Sequence, residues 1–137
     1  MFDFPQGLPA FEEEKRFVLI ELPDRAPLVF LQSLSHASLG FAAFPISAVD
    51  EKYQLAIAAE DLEGLGLDSA RQPVIGDEVI ALALVSLHGK FQATANLMAP
   101  IVLNLKRRRG LQAIRRDARY SHVHPLGEQG KTAEPQC

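Results

Sequence analysis

A single cysteine, Cys137, stands at the last position of the 137-residue chain, so no disulfide can form within it. The longest apolar runs, such as VIALALV at 79–85, fall far short of the ~20 residues a membrane-spanning helix requires. The opening MFDFPQG carries no basic stretch, no continuous apolar run and no small-residue cleavage site, so no secretory signal is visible. Together with the lone cysteine, this makes a reducing cytoplasm the expected compartment.

Catalytic signatures are equally scarce. No Ser or Cys lies in a GxSxG elbow, and the glycines of GLGLD at 64–68 are too few to cradle a phosphate. Asp61 and Glu63 are two apart and Asp77 and Glu78 are adjacent, spacings that do not make either pair share a proton. On a strand, His122 and His124 of HVH would point to one face, but a metal site needs a third ligand, and Cys137 sits on a polar tail. No enzyme, cofactor or metal is expected.

Positive charge is sparse over most of the chain. Residues 1–100 hold six Lys/Arg against fourteen Asp/Glu, whereas residues 101–119 hold seven against one. An acidic protein with one basic segment repels nucleic acid over most of its surface and attracts basic proteins. The segment 106–119, KRRRG followed by RRDAR, is the alternative: a basic strip for phosphates on a small nucleic-acid-binding barrel. It lacks interleaved aromatic rings until Tyr120, and its arginines can equally pair with the chain's own acids or guard a sheet edge.

What the chain does have is short strand-like runs. RFVLIEL at 16–22, PLVFLQSL at 27–34 and LGFAAFPI at 39–46 are rich in aliphatic and aromatic residues. Residues 53–58 read as a further strand and roughly 60–65 as a short helix ending near Gly64 or Gly66, with a single helix across both as the alternative. A long strand at about 78–87 turns at His88-Gly89 and returns at 90–97. APIVLNL at 99–105 is another short strand, GLQAIRR is a strand or a helix with strand favoured by its neighbours, and the polar residues from Pro125 read as a tail. Seven to nine short strands with one or two short helices, and no βαβ rhythm, predict an all-β, mostly antiparallel single domain built as a small barrel or folded sandwich. The domain is expected over 1–126, with 127–137 a disordered tail.

Four stretches, FPQGLPAFE at 4–12, FLQSL at 30–34, LGFAAFP at 39–45 and TANLMAPIVLNLKRRRGLQAI at 94–114, resemble the flagellar assembly factor FliW family in order and spacing from about residue 2 to 126. The resemblance implies a β-barrel-like, non-enzymatic cytoplasmic protein with two partners. One is newly made flagellin. The other is the RNA-binding regulator CsrA, whose repression of flagellin translation the family relieves allosterically. The family's opening motif usually reads GLPGFE; Ala10 stands here in place of its second glycine, and would be strained if the position needs a positive φ.

Candidate contacts follow from that expectation. An amphipathic flagellin helix wants an apolar groove, for which Phe30, Leu31, Phe41 and Phe44 are candidates with Gln32 and Ser33 as polar rim; core packing is the alternative for the apolar four. Glu60, Asp61 and Glu63 offer complementary charge to a basic partner. Asn96 and Asn104 either satisfy backbone groups where strands end or meet a partner's backbone. Of Ile101, Val102 and Leu103, alternation places one or two in the core and leaves the other exposed. The oligomeric state stays open.

Overall fold

Alternation decides the first part of the fold. In β3 (Val29–Ser33), Val29, Leu31 and Ser33 are buried while Phe30 is exposed. β3 pairs antiparallel with β2 (Arg16–Glu21) and β4 (Gly40–Pro45), making a three-stranded meander. The computed structural model describes residues 1–88 and 92–126. β1 (Phe2–Asp3) joins β2 on one side and β8 (Arg109–Gln112) on the other, the latter pairing parallel. β8 continues to β7 (Ile101–Asn104), then to β5 (Val79–His88), and β5 returns to β4. Seven strands therefore close a barrel, in which no ring strand keeps an open edge. β6 (Gln92–Ala95) and β9 (His124–Pro125) extend from the far half of β5.

The barrel interior is filled by Phe2, Phe4, Phe17, Leu31, Leu82, Ile101 and Leu103, with Phe4 and Phe17 meeting edge to face at 4.9 Å between ring centroids. β7 and β5 as far as Val85 are covered on both faces, whereas Ser86 and Leu87 at the end of β5 are exposed. Ile80, Leu82 and Leu84 belong to the interior, while Ala81, Ala83 and Val85 face an outer cluster with Ile46, Tyr53 and Leu97. Val79 and Val102 pack on Ile57, Leu62 and Leu65. This second layer comes from α1 (Ile46–Val49), α2 (Ala59–Leu65) and the extended chain between them. Such double-sided burial is why Ile101, Val102 and Leu103 are all buried, correcting the expectation that one is exposed.

Other expectations are corrected as well. Residues 53–58 form no strand. Tyr53 and Ile57 are buried as a strand's alternate residues would be, but side chains satisfy the backbone: Ile57 N donates to Gln72 Oε1 (2.7 Å), Gln72 Nε2 donates to Ile57 O (3.0 Å), and Gln54 N donates to the Tyr120 hydroxyl (3.2 Å). His122 and His124 share no strand, because only His124 enters β9. Pro125 and Leu126 belong to the fold and not to a tail, since Pro125 lies in β9, and Leu126 is buried with its N–H donating to Ala93 O (2.8 Å). Gly89 of the expected turn and residues 127–137 lie outside the described residues; the flanking strands pair with His88 opposite Gln92.

Residues 4–12 make two tight turns in succession. Gly7 N donates to Phe4 O (2.8 Å), and Phe11 N donates to Leu8 O (2.7 Å) across Pro9-Ala10. Pro9 and a left-handed residue at the next position are the marks of a type II turn, and Ala10 has φ +70°. Alanine pays a Cβ clash there that glycine does not. Ala10→Gly is therefore expected to stabilise the protein by about 0.5–1 kcal/mol, the relief of strain exceeding the added freedom of the unfolded chain. A rise in urea midpoint at unchanged slope would show it; a lower midpoint would mean the turn carries no such strain.

Candidate protein-binding surfaces

On the outer face of the meander, cross-strand register sets Ile20 opposite Phe30 and Phe30 opposite Ala42. Ile20 and Phe30 are 39% and 37% exposed and Ala42 is half-buried, so a partly exposed apolar row crosses three strands. Val18 lies opposite Gln32 in the next row. The Gln32 amide is engaged internally, donating to Leu39 O (2.9 Å) and Ala37 O (3.1 Å) to close the β3–β4 loop.

The remaining expected contacts divide by burial. Leu31 and Ile101 are fully buried in the barrel and cannot meet a partner. Half-buried Phe41 packs into the same core, against Phe17 and Phe11, while Phe44 packs under the outer layer. Ser33 is buried; its hydroxyl donates to buried Glu14, whose other oxygen lies 2.7 Å from His36 Nδ1. Asn96 and Asn104 do the same structural work after consecutive strands. Asn96 Oδ1 accepts from Met98 N and Ala99 N (3.0 Å each), and Asn104 Oδ1 accepts from Lys106 N (3.1 Å) and Arg107 N (3.3 Å). Asn104 is buried and also donates to Leu65 O (2.7 Å), tying α2 to the barrel.

The basic segment is not one face. Lys106, Arg107 and Arg108 lie exposed in the β7–β8 turn, with Arg108 over the Phe2 ring at 5.1 Å. Gly110 and Ala113 are buried between the basic groups. Arg115 is itself only 4% exposed, a burial that its place in a run of surface-type residues did not announce. It bonds Asp117 with two nitrogens (2.8 and 2.9 Å) and lies against the rings of Tyr53 and Tyr120. Its bond to Asp117 holds that carboxyl below its usual range. Arg116 is exposed and pairs with Glu60 (2.8 Å), and Arg119 donates to Gln54 Oε1 (2.7 Å).

Glu60 and Glu63 are exposed on α2, and Asp61 is half-buried at the edge of a cleft of about 450 Å³. Gln6, Gly7, Pro9 and Glu12 of the tandem turns form one side of the cleft. Asp61, Leu111, Gln112, Ile114 and Arg116 form the other. Burial raises the Asp61 carboxyl pKa, the neighbouring Glu60 raises it further, and Arg116 opposes them. Sequence reasoning named Asp61 but missed Glu12, Ile114 and Arg116, which only tertiary structure brings to it. Among the described residues, no group of three or more His, Cys, Asp or Glu is placed to hold a metal, and no helix is long and apolar enough to cross a membrane.

The family model described as FliW protein matches residues 1–126. The chain belongs to the FliW family. The flagellar assembly factor FliW of Syntrophomonas wolfei is 32% identical over 124 residues, covering 90% of this chain and 76% of that protein. That of Geobacillus kaustophilus is 35% identical over 125 residues, covering 90% and 81%. A crystal structure of the flagellar assembly factor FliW superposes with a TM-score of 0.78 at 32% identity, covering 90% of this chain and 83% of that one. The closed barrel is thus a FliW fold, and the family is named for flagellar assembly rather than for catalysis.

Proposed function

We propose that this FliW-family protein acts in the bacterial cytoplasm as a two-partner binding protein. It holds newly made flagellin, and it binds the translational regulator CsrA, allosterically relieving repression of flagellin mRNA. Export of flagellin frees the protein for CsrA, which couples synthesis to assembly. The observation that carries this reading is the family match across residues 1–126. The partly exposed row Ile20–Phe30–Ala42 supports the flagellin half, because an amphipathic helix seeks an apolar surface for its stripe.

Calorimetric titration with CsrA and with monomeric flagellin from the same organism, each at two salt concentrations, tests it. Binding to both, with flagellin competing CsrA off, is the expected result. Phe30→Ser should weaken flagellin binding by roughly tenfold, the loss of one well-buried aromatic contact. Failure of the folded protein to bind either partner would sink the reading, and flagellin binding alone would reduce it to an export-linked chaperone.

A further inference from the structure

The extended chain that leads into α2 lies over the barrel without joining it. Among the described residues, the backbone of 53–58 bonds other backbone only at its ends. Tyr53 N donates to Asp50 O (3.0 Å), and Ala58 O accepts from the first turn of α2. Every tie in between comes from a side chain of another element. Gln54 N donates to the Tyr120 hydroxyl, Gln54 O accepts from Arg115 (2.6 Å), and the Gln72 amide holds Ile57 at both N and O. The Gln54 side chain accepts from Arg119 (2.7 Å), and just beyond the strap Glu60 pairs with Arg116 (2.8 Å). All three arginines of RRDAR at 115–119 thus hold residues between 54 and 60.

Beneath the strap, Tyr53 and Leu55 cluster with Ala81 and Ala83, and Ile57 with Val79 and Val102. These are outward side chains of β5 and β7, whose pairing with neighbouring strands does not involve the strap. Lifting it therefore breaks no rung of the barrel. It strands no charge either: Arg115 forks to Asp117 within its own segment, and that pair stays together when Gln54 leaves. Gln72, Arg116 and Arg119 are exposed, so they exchange their bonds for water at little cost.

We propose that residues 53–58 form a strap that opens and closes as one unit over a barrel that stays shut, with the segment 115–120 as its catch. Elements held by exposed side-chain bonds and few buried groups open well below the free energy of global unfolding. Here two buried side chains, Tyr53 and Ile57, and the clips around them keep the strap down. Its open form presents the outer faces of β5 and β7 to solvent. A ligand that takes Arg116 or Glu60 for itself removes one clip and shifts the strap towards that form. The inference goes beyond the proposed function, and neither partner enters its test.

Amide hydrogen exchange of the full chain, followed by NMR from zero to moderate urea, separates the two openings. The Ile57 N–H is expected to exchange at least roughly tenfold faster than the amides of β7, with little dependence on urea. The β7 amides should speed up steeply with urea, because only global unfolding frees them. Ile101→Val loosens the barrel interior and should speed β7 exchange about three- to tenfold while leaving Ile57 unchanged. Tyr120→Phe keeps the ring and removes the hydroxyl that accepts from Gln54 N. It should speed Gln54 and Ile57 alike, about three- to tenfold, although the bond from Ile57 to Gln72 is untouched. Both substitutions are conservative, and circular dichroism should find both proteins folded. Ile57 exchange no faster than that of β7, or following it in urea and in Ile101→Val, would mean that the strap lifts only when the whole fold does, and the proposal fails. Tyr120→Phe acting on Gln54 alone would overturn it as well, since the ties would then be separate and not one unit.

Discussion

Arg115→Ala is expected to lower stability by about 3 kcal/mol, a large share of what holds a domain of this size together. Arg115 donates to Gln54 O (2.6 Å), to the Tyr53 hydroxyl (3.2 Å) and twice to Asp117, and its guanidinium lies 5.3 and 4.7 Å from the Tyr53 and Tyr120 ring centroids. Truncation opens a hole beside two aromatic rings that pack on each other with centroids 4.3 Å apart, and removes four charge-assisted bonds. The loss does not reach the extreme seen when a charge is stranded in a core, because the Asp117 side chain is 47% exposed and can rehydrate. Arg115→Lys should recover less than half, since an ammonium cannot fork to Asp117 while lying flat on the rings. Urea unfolding of the three proteins reads the series. Equal midpoints for parent and Arg115→Ala would mean that the outer layer is held by its apolar contacts alone.

Gly110→Ala carries the second large effect. Gly110 is buried in β8 opposite Leu103, and an added Cβ would lie 2.5 Å from Phe4 Cζ and 2.7 Å from Leu103 Cδ2. Both neighbours are fully buried, so neither can swing away into solvent. Overpacking of this kind costs about 1–3 kcal/mol, and the upper end is expected here. Phe4→Leu should partly rescue it by withdrawing the ring. The double variant should then be more stable than the sum of the single losses predicts, by about 1 kcal/mol. Strict additivity would show that the strain is relieved elsewhere.

The meander was legible because its period is that of a one-face-buried sheet: PLVFLQSL puts Phe30 outward and Leu31 inward, and β3 does the same. The long hairpin strand at 78–87 was legible from its length and appears as Val79–His88. Residues 53–58 show where periodicity misleads. Tyr53 and Ile57 alternate as in a strand because they cover one, yet the Ile57 backbone bonds the Gln72 side chain fifteen positions away, and Gln54 N donates to the Tyr120 hydroxyl, partners invisible to any local pattern. Double burial of β7 was likewise hidden, since IVLN reads the same whether one face or both are covered. Of the expected contacts, Phe30, Glu60 and Glu63 are exposed, whereas Leu31, Ser33, Ile101 and Asn104 are buried. Apolar type alone does not separate the outer face of a barrel strand from the inner one. The cleft was beyond sequence altogether: the motif at 4–12 and that at 94–114 are far apart in the chain and become its opposite walls through the barrel's closure.

That closure runs through a stave of two residues. β1 meets β2 at Arg16 and Phe17, but it meets β8 only where Asp3 pairs with Arg109. During synthesis, at roughly 5–20 residues per second, β1 to β4 emerge and can pair among themselves long before β8 leaves the ribosome. For those seconds the nascent chain is an open sheet with two unpaired edges and an uncovered interior face, the form most prone to join its neighbours. β5 covers the edge of β4 first and β8 covers that of β1 only later, so the first residues to be made become the last to be secured.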